Sequence, residues 1–256
     1  MTIDFGKTAQ DYQAHRQGFP SAFFDHLTAR NILAKQKRVL DIGTGTGTLA
    51  RGAALAGCDV VGLDIAPELI EQARSLDTEA GVKVSYRVAP AEETGLADSA
   101  FDVVMAGQCW HWLDRPRAAS EVQRLLKPNG YIVIAHLDWI PLPDNVVEAT
   151  EALILKYNPA WSMGGGNGMY PAWLRDLAIA NFQDIETFSF DLDLYYTHIS
   201  WRGRIRASAG VAASLEPERV QAFDAELATL LADKFPTNPL PIHHRVWATI
   251  AQKSEV

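Results

Sequence analysis

Residues 39–57 read VLDIGTGTGTLARGAALAG. The run RVLDI (38–42) that leads into them is short and apolar, like strands buried on both faces of a parallel sheet. Gly43, Gly45 and Gly47 follow at every second position. The Ala/Leu-rich segment after them reads as a helix over 47–56, stopped by Gly57. Strand, glycine bend and helix in that order place an open turn at the carboxyl end of the first strand, where α/β sheets bind their ligands.

The residues of the bend say which ligand. A dinucleotide fingerprint needs G-x-G-x-x-G, with the later glycines admitting a pyrophosphate. Here Thr48 stands where the last glycine belongs, and Asp41 lies two residues before Gly43. A carboxylate is a poor neighbour for a phosphate and a good one for a cation. No Gly-Lys-Ser/Thr follows, so the Walker pattern is absent. Asp64 ends a second strand, DVVGLD (59–64), roughly twenty residues after the first glycine, where a carboxylate accepts ribose hydroxyls. The bend therefore calls for a ribose, a close backbone approach and positive charge, without phosphate. S-adenosylmethionine, with its ribose, ammonium and sulfonium, meets those demands. The plainer alternative is a tight strand-to-helix turn with no ligand. Two functional rivals also stand: a nicotinamide-dependent oxidoreductase, which Asp41 and Thr48 weigh against, and a non-catalytic S-adenosylmethionine-binding module that regulates a partner.

Outward from the bend, strands and helices alternate. SAFFDHLTAR (21–30) reads as a short helix. Pro67 opens a helix with Glu68 in its first turn, and Gly81 stops it. VKVSYRV (82–88) and FDVVMAG (101–107) read as third and fourth strands. A helix over 115–126 ends at the Pro128-Asn129-Gly130 turn, and YIVIAHL (131–137) is a fifth strand. This rhythm predicts an α/β doubly wound, Rossmann-like parallel sheet with right-handed crossovers. It breaks after residue 137. Residues 138–182 hold prolines, tryptophans and GGGNG (164–168), FQDIETFSFDLDLYY (182–196) carries a strand, 200–233 look helical, and HRVWATIAQK (244–253) is a last strand. Three segments result: an N-terminal arm (1–30), a cofactor-binding core (31–137), and a remainder (138–256) that adds strands and a helical lid for substrate.

Composition narrows the classes. The chain has 256 residues, 48% of them hydrophobic, enough for a packed core. Its formal net charge of −8 argues against a general nucleic-acid binder. Cys58 and Cys109 stand far apart, which argues against a disulfide framework or a zinc site. The consecutive His243 and His244 point to opposite faces of a strand, so no metal is expected. A polar N-terminus and the absence of a long apolar run predict a soluble cytoplasmic protein with no membrane partner. Oligomeric state cannot be read from the sequence.

Several segments match one family in order. DIGTGTG (41–47) resembles the first motif of class I S-adenosylmethionine-dependent methyltransferases. GLDIAPELIEQAR (62–74) resembles their acidic-loop motif, PAEETGLADSAFDVVMAGQCWHWLD (90–114) the segment around the fourth strand, and RLLKPNGYIVI (124–134) the motif after it. QCWHWLD is similar to a signature of the type 11 group, which includes trans-aconitate methyltransferases. WRGRIRAS (201–208) and YQAHRQGFP (12–20) resemble other segments of that group. The resemblance implies a seven-stranded sheet of order 3-2-1-4-5-7-6 with the last strand antiparallel. It implies that Asp41 and the backbone at Gly43, Thr44 and Gly45 hold the methionine end of the cofactor, that Asp64 takes the ribose, and that Ile65 flanks the adenine. The family often has an aspartate after the third strand; this chain has Pro90, followed by Ala91 and Glu92, which take the adenine edge instead. Tyr12 and Arg16 would close over the cofactor carboxylate, as arginine binds carboxylates in bidentate fashion.

The loop after the fourth strand, from Gln108 to Trp112, should face the reactive methyl, with Gln108 among the cofactor contacts. His111, with an ordinary pKa of about 6.5, is its acid–base candidate; the bland reading is a packed histidine between two tryptophans. Trp110 and Trp112 are candidate walls of a small-molecule acceptor pocket. Tyr170, Trp173, Tyr195 and Trp201 are further candidate walls, although lid aromatics also build cores. Arg202 shares a helix face with Arg206 and would hold a substrate carboxylate, or else pair with local acids. The loop lacks the Asp/Asn-Pro-Pro-Tyr pattern of base-modifying enzymes, which disfavours DNA as substrate.

Overall fold

A computed structural model of the chain describes residues 17–255. The proposed cofactor contacts Tyr12 and Arg16 lie outside the described residues. The elements, in chain order, are α1 (Ser21–Ala29), β1 (Arg38–Ile42), α2 (Thr48–Leu55), β2 (Asp59–Asp64), α3 (Pro67–Ala80), β3 (Ser85–Val88), β4 (Phe101–Gly107), a 3-10 turn (Trp110–Trp112), α4 (Arg115–Leu125), β5 (Leu126–Trp139), α5 (Val146–Tyr157), α6 (Ala172–Ile179), β6 (Phe182–Tyr196), α7 (His198–Arg206), α8 (Pro217–Lys234) and β7 (Leu240–Lys253).

The strands form one seven-stranded sheet in the order β3-β2-β1-β4-β5-β7-β6. β1 to β5 pair in parallel. β7 runs the other way: Ile140, just past β5, donates to the carbonyl of His243, while Gln252 donates to the carbonyl of Asn129, near the start of β5. It is antiparallel to β6 as well, with Arg245 against Asp191 and Thr249 donating to the Glu186 carbonyl. The order and the reversed last strand are those the resemblance implies.

Register decides where the loops meet. Ile42 lies opposite Leu63 of β2 on one side and Ala106 of β4 on the other. The carboxyl ends of β1, β2 and β4 therefore come level, so the bend at Gly43, the acid at Asp64 and the turn after Gly107 rise from one edge of the sheet. β1 is buried beyond Arg38, as a central parallel strand requires.

The local chemistry follows sequence rules. α3 opens on Pro67 and closes on Gly81 in the left-handed conformation. Asp114 caps α4 by accepting from the Arg117 N–H, and Asn145 caps α5 by accepting from Glu148. Three expectations shift. β3 is shorter than VKVSYRV, since pairing with β2 begins only at Ser85. The Pro128-Asn129-Gly130 segment falls inside β5 as an irregularity: Phe101 pairs with Leu126 and Val103 with Tyr131. Asp102 sits at this irregularity, its carboxylate taking the Lys127 ammonium at 2.9 Å and the Arg38 N–H at 2.8 Å. Finally, α5 and α6 occupy stretches whose prolines and tryptophans hide their helical spacing.

The chain divides into two compact units. One comprises Gly18–Leu137, Tyr170–Phe190 and the residues from Val246 on; the other comprises Asp138–Met169 and Asp191–Arg245. The first has a core built on Leu40, Ile42, Val104, Trp110 and Ile134. The second has its own core, on Ile154, Trp201, Ile205, Phe223 and Leu227. Among the described residues no helix is long and apolar enough to cross a membrane.

One buried ion pair supports the bend from behind. Arg51 of α2 reaches Asp77 of α3 at 2.7 Å and donates to the Thr46 carbonyl at 2.9 Å, and the Tyr86 hydroxyl donates to the other Asp77 oxygen at 2.8 Å. Burial, and then the Asp77 carboxylate, push the Tyr86 phenol far above its usual range. Replacing Arg51 with Ala leaves Asp77 buried without its cation. Such a change should cost about 3–5 kcal/mol in urea denaturation, far more than loss of an exposed pair.

Candidate functional site

The glycine bend is held by its neighbours on both sides. Thr44 donates its N–H to the Leu63 carbonyl at 2.9 Å. Gly45 donates its N–H to Asp64 Oδ2 at 2.8 Å, and Ala66 donates to Asp64 Oδ1 at 3.0 Å. Asp64 thus stitches the end of β2 to the bend and keeps further acceptor sites on both oxygens. Two glycines have distinct reasons. Gly43 has φ 59°, and a Cβ there would sit 2.8 Å from the Cys109 Cβ, so only glycine lets the turn after β4 pass beneath. Gly45 has φ 55°, and a Cβ there would meet no protein atom within 4 Å. Its backbone is bare on the outer side, as close approach by a ligand requires.

Asp41 lies under the bend, almost wholly buried. Its Oδ2 accepts from the Thr44 hydroxyl at 2.6 Å and from the Ala50 N–H at 3.0 Å. Its Oδ1 is buried and has no hydrogen-bond partner. Burial pushes its pKa up to about 7; the bonds from Thr44 and Ala50 pull the other way, and the Asp64 charge adds to the rise. A buried carboxyl with one unserved oxygen is an unfavourable arrangement that a cationic group would relieve.

Beyond Asp64 the rim is apolar. Ile65 and Val88, at the ends of β2 and β3, are 72% and 60% exposed. Ala91 is buried, and Glu92 accepts the Asp114 N–H at 2.9 Å. Val88 is a rim residue that the sequence reading passed over, because an apolar residue closing a strand carries no motif.

The turn after β4 brings the remaining first-unit candidates together. Gln108 leaves the strand at φ 60°. Cys109 is buried and its thiol donates to the Ile42 carbonyl; burial pushes the thiol well above its ordinary range. Trp110 is fully buried and donates its indole N–H to Asp176, which Arg115 also meets at 3.2 Å. Trp110 thus anchors the turn in the core. His111 is half-buried and Trp112 is exposed. The His111 ring lies 4.5 Å from that of Trp112 and 5.1 Å from that of His136. Tyr170 and Trp173 stack at 4.1 Å, and Tyr170 stands 4.4 Å from His136.

His136 stands beside these candidates and is one that sequence reasoning missed. Its signal was present: a histidine near the carboxyl end of an otherwise apolar parallel strand, YIVIAHL. A buried histidine there has to be kept by something other than hydrophobicity.

Three candidates belong to the second unit. Tyr195 is exposed. Trp201 is fully buried and donates its indole N–H to Thr150, so its surface goes into that unit's core. Arg202 donates through Nε to Asp224 at 3.0 Å, and Arg206 meets the same carboxylate at 2.8 Å. Asp224 is held below its ordinary range by these two cations against the opposing effect of burial. Among the described residues no group of three or more His, Cys, Asp or Glu is placed to hold a metal ion.

Comparison with known proteins places this geometry. Residues 40–134 match the family model of a methyltransferase domain. An uncharacterized methyltransferase of Mycobacterium tuberculosis is 36% identical over 130 residues, covering 51% of this chain and 50% of that one. The chain thus spans about half the length of the first curated relatives it matches. The ubiquinone biosynthesis O-methyltransferase of Xanthomonas oryzae is 29% identical over 191 residues, 72% of this chain and 76% of that one. Among solved structures, a protein of Anaeromyxobacter dehalogenans assigned to the type II methyltransferases superposes with a TM-score of 0.64 at 23% identity, over 94% of this chain and 98% of that one. At that identity the likeness is one of fold.

The raised pKa of Asp41 has a measurable consequence. The unfolded chain ionises this carboxyl near its ordinary value of 3.8, the folded one near 7. The folded state therefore binds the extra proton between these values, and stability falls as pH rises through that window. Above pH 7 the full penalty, on the order of 4 kcal/mol at most, stands. Asp41→Asn keeps the shape and removes the charge. The ligand-free variant should gain a few kcal/mol over the parent at about pH 8 and nothing below about pH 4, read by thermal or urea unfolding.

Proposed function

We propose that the chain is a class I S-adenosylmethionine-dependent methyltransferase, and that it moves the methyl group of that cofactor to oxygen, nitrogen or carbon of a small-molecule acceptor, in the cytoplasm. The observation that carries this reading is the buried, partnerless Oδ1 of Asp41 beneath a bend whose Gly45 is open on its outer side. A phosphate would meet a carboxylate there; an ammonium or sulfonium would meet its counter-ion.

The residues fit the cofactor part by part. Asp41, with the backbone at Gly43, Thr44 and Gly45, holds the methionyl end. Asp64 has acceptor capacity left for the ribose hydroxyls. Ile65 and Val88 offer apolar faces to the adenine, with Ala91 and Glu92 at its edge. Gln108 lies at the start of the turn that carries His111. When bound, the cofactor supplies a methyl group already activated by its sulfonium, so the chain contributes alignment and exclusion of water. His111 takes a proton where the acceptor has one to lose. Trp112, Tyr170 and Trp173 line the acceptor side, backed by Trp110. Arg202 commits its charge to Asp224 and Trp201 its indole to Thr150, so this reading asks no recognition of them. Likeness to O-methyltransferases favours oxygen as the accepting atom.

Isothermal titration tests the assignment. S-adenosylmethionine should bind in the micromolar range common to metabolic ligands, and NADH should give no heat. Asp64→Ala and Gly43→Val should each weaken binding tenfold or more, a loss of about 1.4 kcal/mol. Unchanged affinity in both would refute the site. Because a cation needs Asp41 ionised, affinity should climb from about pH 5 to about pH 7 and then level.

A further inference from the structure

Gln108 takes the chain out of β4 at φ 60°, a left-handed conformation that a residue with a long side chain adopts only when its surroundings force it. Two hydrogen bonds do so. Its N–H donates to the Ala135 carbonyl at 2.9 Å, and its side-chain Nε2 donates to the Leu137 carbonyl at 2.8 Å. These bonds bracket His136. The strained bend thus pins the turn bearing His111 to the point on β5 that bears His136. The two imidazoles stand 5.1 Å apart between centroids, inclined at 64°. Trp173 lies 6.5 Å from His111, parallel within 3°, and 5.1 Å from His136. His136 is buried and His111 half-buried, so His111 is the member an acceptor reaches.

We propose that His111 and His136 work as one proton acceptor, His111 touching the substrate and His136 a positioning residue behind it, and that the substrate is a protic acceptor, a hydroxyl or amine, rather than a carboxylate. This rests on the methyltransferase reading above. Two imidazolium charges at this separation would repel each other. Rings held this close favour a single proton on the pair. In the transfer the heteroatom's electron pair would make the new bond to the methyl carbon as the methyl–sulfur bond breaks and its pair leaves on sulfur as the neutral thioether; the acceptor's O–H or N–H bond breaks with its electron pair staying on the heteroatom. The proton passes to the His111 ring, and the Trp112 ring, 4.5 Å away between centroids, neighbours the imidazolium that results. A carboxylate has no such proton, and the pair would be idle.

Other charges around the pair are already engaged. Asp176 meets Trp110 and Arg115. Glu92 accepts from the Asp114 N–H, and Asp114 accepts from the Arg117 N–H. Cys109 donates to Ile42, and Tyr170 brings its ring against His136.

Imidazole NMR of the full chain, titrated from about pH 5 to about pH 8, tests the pairing without a known substrate. His111 and His136 should each titrate in two steps. His136→Phe keeps an aromatic ring in place and should reduce the His111 curve to one step; His111→Gln should do the same to His136. Curves indifferent to the partner's replacement overturn the pairing. If His136→Phe does not fold, His111→Gln, a change at a half-buried ring on a turn, decides alone. Calorimetry with S-adenosylhomocysteine on the same samples separates the two readings. Binding retained in both variants with the coupling lost supports the pair. Failure of the parent chain to bind overturns the methyltransferase reading, while the curves still decide the pairing. With labelled S-adenosylmethionine and a panel of phenols, alcohols, amines and carboxylic acids, label should go to protic acceptors. His136→Phe should lower kcat for such an acceptor at least about tenfold with KM unchanged. Label confined to carboxylic acids overturns the substrate class.

Discussion

Asp41 is the constraint around which the first unit is arranged. A carboxyl on a central strand, with buried neighbours before and after it, has no water to solvate it. The chain meets one of its oxygens with Thr44 and Ala50 and leaves the other bare. That half-satisfied state is costly, and a fold selected for stability alone would replace the residue with an apolar one. A positive group beside Oδ1 would complete it. The same burial that raises its pKa makes it a strong counter-ion once a cation arrives, because the low local dielectric that penalises the lone charge also strengthens the pair.

The bend over Asp41 depends on supports that come from distant sequence. Gly43 is bare because Cys109 lies against it, and Cys109 is there because the turn after β4 folds back beneath β1's end. Asp64 holds the bend from β2, and Arg51 with Asp77 holds it from behind. Position is thereby set by hydrogen bonds from three elements, so the backbone groups are fixed before any ligand arrives. Preorganisation of this kind spares the ordering cost that binding would otherwise carry.

The second unit solves a different problem. Its tryptophans and arginines invite a reading as substrate contacts, and the structure shows where each goes. Trp201 fills its core, Trp139 donates to the buried Glu151, and the Arg202–Arg206 pair closes on Asp224. Aromatic residues bury large areas, so Trp201 and Phe223 add to a core already rich in Leu, Ile and Val. Arginine forks find carboxylates wherever a neighbouring helix supplies one.

Much of the first unit was legible in the sequence because its signals are local. Apolar runs between turn residues mark β1, β2 and β4, Pro67 and Gly81 mark the ends of α3, and glycine spacing with Asp41 and Asp64 marks the chemistry of the bend. These cues depend on backbone conformation and on residues a few positions apart, which order along the chain displays. The pairing of His111 with His136, the strained Gln108 between them and the fate of Trp201 and Arg202 depend on contacts between residues 22 to 51 positions apart, set by strand register or helix packing. A histidine within an apolar run looks the same whether it faces a neighbouring strand's turn or a solvent edge. Only tertiary structure brings the second ring to it, because the side of a strand on which a residue falls is set by its pairing partners and not by its own sequence.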